Sequence, residues 1–114
     1  MKFYIVLLSL TLSTNILAAE LKIDVPAEPN TKFFLVQKAG ERTARTMITK
    51  HVGPSGTSYS KRLYDCDNST YKHLGSGSSS TQIDESRPEK NMRQVTQGSI
   101  NYYLGNEACK EENL

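Results

Sequence analysis

Two cysteines, Cys66 and Cys109, have the most specific chemistry in this chain of 114 residues. Cysteines that bind a metal ion usually come in closely spaced pairs, and neither these two nor His51 and His73 have that spacing. In a protein exported to an oxidising compartment, an even number of cysteines indicates a disulfide instead. Because two cysteines allow one pairing, we predict a disulfide between Cys66 and Cys109. We predict no metal site and no cofactor.

The chain also contains the residue types of nucleophilic catalysis, which needs a serine or cysteine beside a base and an orienting carboxylate. His51 lies next to a Gly-Pro turn, His73 lies in a predicted strand, and the G-x-S-x-G pattern of a nucleophile elbow is absent. Asp65 and Asp67 flank Cys66, so they share a face and do not oppose each other as glycosidase carboxylates do. We therefore predict that the protein is not an enzyme. A small hydrolase would need a histidine within hydrogen-bond reach of a serine in a concave pocket.

Tyrosines and basic residues alternate through the middle of the chain. Since tyrosine and arginine are common at protein-binding surfaces, these residues predict a surface that binds a protein partner. The predicted partner-binding residues are Tyr59, Lys61, Arg62, Tyr64, Tyr71 and Lys72. The alternative is that they form the solvated face of a half-covered antiparallel sheet. With 14 basic and 12 acidic residues, the chain has no electrostatic basis for binding nucleic acid.

The N-terminus is typical of a secretory signal peptide. Lys2 is followed by a short apolar run and then by small residues at Ala18 and Ala19, either of which could precede the cleavage site. We predict a signal peptide over residues 1–19 and a single exported domain over residues 20–114, in the periplasm or at the cell surface. No apolar run in the mature chain is long enough for a transmembrane segment.

The exported domain has the alternating pattern of β-strands along most of its length. A first short strand ends at Pro26, and the apolar run at residues 33–36 predicts a strand that is buried on both faces. The predicted strands cover residues 21–25, 33–36, 43–52, 57–66 and 70–74. Turn residues at 53–56 and 67–69 connect the last three of them as a meander.

The pattern changes towards the C-terminus. Residues 75–80 are all glycine and serine, and we predict a flexible loop over residues 75–94 with one helical turn near Gln82 and Ile83. Ser99 is suited to cap the N-terminus of a helix. The apolar residues that share one face of this helix are Ile100, Tyr103, Leu104 and Ala108. The predicted fold is α+β, with an antiparallel sheet of four to six strands packed against a C-terminal α-helix.

The order of several short motifs resembles that of the bacterial surface-adhesin protein E family. These motifs are Asp65-Cys66, Tyr71-Lys72-His73-Leu74, Gly98-Ser99 at the start of the helix and Ala108-Cys109 at its end, and the resemblance covers residues 57–109. It implies an exported domain in which a disulfide joins Cys66 on a strand to Cys109 on the helix, with Ser99 as the helix cap. Adhesins of that family bind host matrix proteins. The resemblance therefore implies a binding module of the cell envelope whose partner is a host or envelope protein.

A second set of motifs is similar to those of the periplasmic C-type lysozyme inhibitors. It consists of Tyr64-Asp65-Cys66 and the loop at residues 55–59, which occur here in the opposite order. The function that we predict is that of an exported, non-enzymatic, adhesin-like binding module. The alternative is a periplasmic inhibitor of a hydrolase such as lysozyme.

Overall fold

A computed structural model describes residues 20–114. The predicted signal peptide, residues 1–19, lies outside the described residues. The strands of the described part are β1 (Leu21–Ile23), β2 (Lys32–Ala39), β3 (Arg45–Gly53), β4 (Gly56–Asp65), β5 (Thr70–Gly77), β6 (Ile83–Asp84) and β7 (Arg93–Gln94). A 3-10 turn spans Arg42–Ala44, and helix α1 spans Ile100–Ala108.

The strands form one antiparallel sheet in the order β1-β2-β3-β4-β5-β6, and β7 also pairs with β5. Each of β2 to β6 lies beside the strand before it, and β3 and β4 are joined by the two residues 54–55. At the turn between β4 and β5, the Asp65 carboxylate accepts hydrogen bonds from the backbone N–H groups of Asp67 and Asn68. The predicted α+β fold, a meander with a C-terminal helix, is confirmed.

Helix α1 packs on one face of the sheet, which we call the helix-covered face; the other is the open face. The hydrophobic core lies between the helix and the covered face. It consists of Ile23, Val25, Phe33, Leu35, Met47, Tyr64, Tyr71, Leu104 and Ala108. The sheet supplies most of these side chains at alternate positions, as expected for a sheet that is covered on one side.

The prediction that residues 33–36 are buried on both faces is wrong. Phe33 and Leu35 are buried in the core, whereas Phe34 and Val36 are half-buried on the open face. The reason is that α1 covers only one side of β2, which the apolar run by itself does not reveal. β1 ends at Ile23, and Val25 is buried without being part of the strand.

Both ends of α1 are fixed as the sequence predicts. The Ser99 hydroxyl accepts a hydrogen bond from the backbone N–H of Tyr102 at 3.2 Å, which confirms Ser99 as the N-cap. Cys109 directly follows the helix and forms the predicted disulfide with Cys66, which follows β4. Within residues 20–114 no helix has the length and apolar character that crossing a membrane requires.

Two buried cations hold the C-terminal end of α1. Lys38 Nζ donates hydrogen bonds to the backbone carbonyls of Glu107 and Lys110 at 2.7 and 2.8 Å. Arg45 Nη1 donates to the carbonyl of Ala108 at 2.8 Å. The last carbonyls of a helix have no partner within the helix and carry partial negative charge, so these cations satisfy them and stabilise the helix dipole.

The segment predicted as a flexible loop, residues 75–94, contains paired backbone at both ends. β5 continues to Gly77, and β6 and β7 both pair with β5. The helical turn predicted near Gln82 and Ile83 is wrong, because Ile83 is extended in β6. Gly75 and Gly77 have no side chain, and this lets the backbone of residues 82–84 approach β5 closely. The flexibility of the segment stays a prediction.

Candidate binding site

The strand register divides the six predicted partner-binding residues between the two faces. Directly opposed residues of an antiparallel pair share a face. Tyr59, Lys61 and Lys72 lie on the open face, where they are opposite Lys50, Ile48 and Leu63. Arg62, Tyr64 and Tyr71 lie on the helix-covered face, where Tyr64 is opposite both Arg45 and Tyr71. The six residues therefore do not form one surface.

Tyr64 and Tyr71 belong to the core and are not available to a partner. Their relative exposures are 1% and 7%, and the two rings stack with centroids 5.9 Å apart. The Tyr64 hydroxyl donates to the backbone carbonyl of Asn101 at 3.2 Å, and burial raises the pKa of Tyr64. The strand alternation that suggested exposed tyrosines also fits buried ones, and α1 decides between the two.

The open face combines half-buried apolar side chains with lysines. Its large apolar and aromatic residues are Phe34, Val36, Ile48, Val52, Tyr59, Leu63, Leu74 and Ile83, and its lysines are Lys22, Lys32, Lys50, Lys61 and Lys72. Of the apolar group, Ile48 is buried at 8% exposure, and the others remain half-buried. Since α1 lies on the opposite side, this surface keeps apolar area in contact with solvent.

Carboxylates neutralise only part of the positive charge on the open face. Lys50 pairs with Glu20 at 3.2 Å, and Lys61 pairs with Glu85 at 3.1 Å. The other three lysines of this face, Lys22, Lys32 and Lys72, have no carboxylate within 4.0 Å among residues 20–114. The open face is therefore apolar with a net positive charge.

Arg62 lies in a second, polar site on the helix-covered face, beside the N-terminal turn of α1. Its Nε donates to the Asn101 side-chain oxygen at 3.0 Å, and its Nη1 donates to the Thr49 hydroxyl at 3.3 Å. The Thr49 hydroxyl is also 2.8 Å from His51 Nε2, and His73 is opposite Arg62 across the strand pair. We call Thr49, His51, Arg62, His73 and Asn101 the polar cluster.

The polar cluster disfavours further positive charge. Burial lowers the pKa of His51 to about 4, and the nearby charges of Arg62 and His73 act in the same direction. Burial also lowers the pKa of His73, which Arg62 lowers further. Both imidazoles are therefore neutral at neutral pH. The site holds one permanent positive charge, that of Arg62.

A histidine and a serine do meet in the structure, as a hydrolase would require. His73 Nε2 is 3.0 Å from the Ser76 hydroxyl, but Ser76 is exposed and neither residue lines the described cleft. That cleft, of about 270 Å³, lies beside the disulfide and is lined by residues that include Tyr64, Tyr102 and Gly105. Among residues 20–114, no three His, Cys, Asp or Glu side chains come together as a possible metal site.

Sequence reasoning missed Thr49 and Asn101 as members of the polar cluster. Thr49 precedes His51 by two positions in a strand, so alternation could have placed both side chains on one face. Asn101 had no comparable signal, because its contact with Arg62 depends on how α1 crosses the sheet. No family model, curated protein or solved structure matches the chain.

Proposed function

We propose that the protein is an exported, non-enzymatic, adhesin-like binding module of the cell envelope that binds an acidic protein surface through its open face. The observation that carries this proposal is the mixture of half-buried apolar side chains and unpaired lysines on a sheet face that the helix leaves free. The disulfide supports export, because such bonds persist in oxidising compartments such as the periplasm and the cell surface.

The apolar residues of the open face support burial against another protein. Phe34, Ile48 and Leu63 lie on adjacent strands, and the first and last of them are half-buried. Covering such side chains releases water at a gain of about 25 cal/mol per Å² of apolar area. A rigid sheet loses little conformational freedom when it binds, so more of that gain appears as affinity.

The charge of the open face supports an acidic partner. Lys32 and Lys72 lie on β2 and β5, at opposite sides of the apolar residues, and no carboxylate of the described chain pairs with either. Positive charges around an apolar centre attract a negatively charged surface and repel a positive one. The affinity for the partner should therefore decrease as the salt concentration rises.

The test is affinity capture with the oxidised protein, followed by measurement of Kd for each purified protein that is retained. We expect an acidic protein whose affinity falls at least about tenfold with Lys72→Glu, because like charges at an interface cost several kcal/mol. Leu63→Ser should weaken binding through the loss of apolar contact. The matched controls are Lys90→Glu, in the exposed loop, and Leu21→Ser, which changes a leucine opposite Leu35 on the other face.

Equal effects of Lys72→Glu and Lys90→Glu would contradict the use of the open face. A captured partner with a basic surface would contradict the predicted charge. If the captured protein is a muramidase whose activity falls at stoichiometric concentration, the protein is a hydrolase inhibitor and the adhesin-like proposal is wrong.

A further inference from the structure

Arg62 is a half-buried cation without an anionic partner in the described chain. No carboxylate of residues 20–114 lies within 4.0 Å of its guanidinium, which instead donates to the neutral oxygens of Thr49 and Asn101. Charged side chains that leave solvent are usually paired, since neutral acceptors compensate only part of the lost hydration. Arg45, whose side chain is buried, follows this rule and pairs with Glu111.

The remaining hydrogen-bond donors of Arg62 point to a free edge of the guanidinium. Nε and one proton of Nη1 are used, which leaves the other Nη1 proton and both protons of Nη2. Among the described residues, Glu107 Oε1 is the single buried side-chain N or O atom without a hydrogen-bond partner. Nη2 of Arg62 is therefore in contact with solvent and can donate to a ligand.

The charges near Arg62 do not neutralise it, so this edge can accept one negative charge. Glu89 is the carboxylate whose charge acts on the pKa of Arg62, and it is already held by Arg93 at 2.8 Å and by the backbone N–H of His73 at 3.2 Å. Arg93 itself lies over the Tyr71 ring at 5.0 Å. With the Glu89 charge compensated by Arg93, the charge of Arg62 is not neutralised within the described chain.

We infer that the Nη1–Nη2 edge of Arg62 binds a carboxylate group. Two parallel N–H groups match the two oxygens of a carboxylate and form a bidentate pair. A single positive charge is balanced by the single negative charge of a carboxylate, whereas a phosphate dianion would need a second cation. Thr49 and Asn101 position the guanidinium by holding its other donors. This site is on the face opposite to the proposed protein-binding face and does not depend on that proposal.

The experiment is a titration of the oxidised, ¹⁵N-labelled protein with sodium acetate at pH 7, with sodium chloride adjusted to keep the ionic strength constant. We expect a saturable shift of the Arg62 Nε–H signal together with shifts of the His51 and His73 ring signals. Arg62→Lys keeps the charge but removes the two parallel N–H groups of the guanidinium, and it should weaken acetate binding at least about fivefold. Lys90→Gln removes a charge from the exposed loop and should leave acetate binding unchanged.

Identical shifts with acetate and with chloride alone would overturn the inference, and so would unchanged acetate binding by Arg62→Lys. If Arg62→Lys does not fold, the comparison of acetate with chloride in the unmodified protein tests the inference. A blocked peptide with one glutamate distinguishes the source of the carboxylate. Tighter binding of the peptide than of acetate indicates a carboxylate of a protein, whereas equal binding indicates a free small carboxylate.

Discussion

His51 shows how a side chain of ordinary type acquires unusual properties from its position. Its ring packs against Phe33 with centroids 4.8 Å apart, and its Nε2 is 2.8 Å from the Thr49 hydroxyl. Burial is the main cause that lowers its pKa from 6.5 to about 4, and Arg62 and His73 contribute. The folded state therefore resists protonation of His51, while the unfolded chain does not.

This difference predicts a stability that depends on pH. The unfolded chain binds the His51 proton near pH 6.5, whereas the folded protein binds it only near pH 4. The contribution of His51 to the free energy of unfolding therefore has its full value above pH 6.5 and decreases as the pH falls towards 4. With allowance for the partial exposure of the ring, we expect a loss of about 1–2 kcal/mol. Urea unfolding at a series of pH values between these limits measures it.

His51→Gln keeps a polar side chain near Thr49 and should reduce the pH slope. His73→Gln is the matched variant and should reduce the slope less, since the ring of His73 packs less deeply. A slope that His51→Gln leaves unchanged would contradict this assignment.

Lys38 predicts a second effect at the residue scale. Its side chain is completely buried, its Nζ lies 3.7 Å from Glu107 Oε1, and burial lowers its pKa although Glu107 opposes that shift. Lys38→Met removes the hydrogen bonds to the helix end and leaves the buried carboxylate without this partner. We expect the free energy of unfolding to fall by about 3 kcal/mol, measured by urea denaturation.

Lys110→Met is the control, because Lys110 also pairs with Glu107, at 3.5 Å, but is exposed. It should change the free energy of unfolding by less than about 1 kcal/mol. Equal effects of the two substitutions would show that burial of Lys38 does not matter.

At the scale of the elements, α1 packs closely on β4 because Gly105 has no side chain. A Cβ atom on Gly105 would lie 2.9 Å from Cε1 of Tyr64, whose ring is held by the stack with Tyr71 and by the bond to the Asn101 carbonyl. Alanine is better than glycine in a helix by about 1 kcal/mol, but overpacking a core costs about 1–3 kcal/mol. We therefore expect Gly105→Ala to lower the free energy of unfolding by about 1 kcal/mol in a urea titration.

Asn106→Ala provides the comparison, since Asn106 is the exposed neighbour in the same helix. Without a clash, alanine should stabilise the protein by a few tenths of a kcal/mol, about the difference in helix propensity. Stabilisation by both substitutions would contradict the expected clash, because it would mean that the Tyr64 ring moves away from a side chain at Gly105 at little cost.

A bulge in β2 decides which face Lys38 occupies. The register shifts between Leu35 and Gln37, so Val36 and Gln37 both lie opposite Ile48 on the open face. Without the extra residue, alternation would place Gln37 under the helix and Lys38 in solvent. The cation that holds the end of α1 therefore depends on one irregular position in the strand.

At the scale of the whole molecule, the disulfide joins the sheet to the end of α1. Cys66 and Cys109 are separated by 43 positions, and the bond closes a loop that includes β5, β6, β7 and the helix. The chain-entropy model gives such a loop about 4 kcal/mol, which is close to the whole net stability of a small domain. We expect Cys66→Ala/Cys109→Ala to lose about 4 kcal/mol in urea denaturation.

Reduction of the unmodified protein should give a similar loss, because both treatments remove the same constraint from the unfolded chain. A loss below about 1 kcal/mol in both experiments would contradict a stabilising role of the disulfide. Alkylation under non-reducing conditions checks that the purified protein contains no free thiol.

Features that depend on neighbouring residues or on simple counting can be predicted from the amino-acid sequence alone. Strand alternation and the turns at residues 53–56 and 67–69 predicted the meander, since turn chemistry is local. Ser99 can be identified as a cap because its bond reaches only three residues along the chain. The two cysteines allowed one pairing, and the structure confirms it.

Which side of each strand faces the helix depends on the packing of the whole domain. Alternation divides residues into two sets but does not say which set is buried, and each bulge exchanges the sets beyond it. This is why Tyr64 and Tyr71 lie in the core while Tyr59 lies on the open face. The environment of Arg62 depends in the same way on Asn101, which α1 brings to the sheet from 39 positions along the chain.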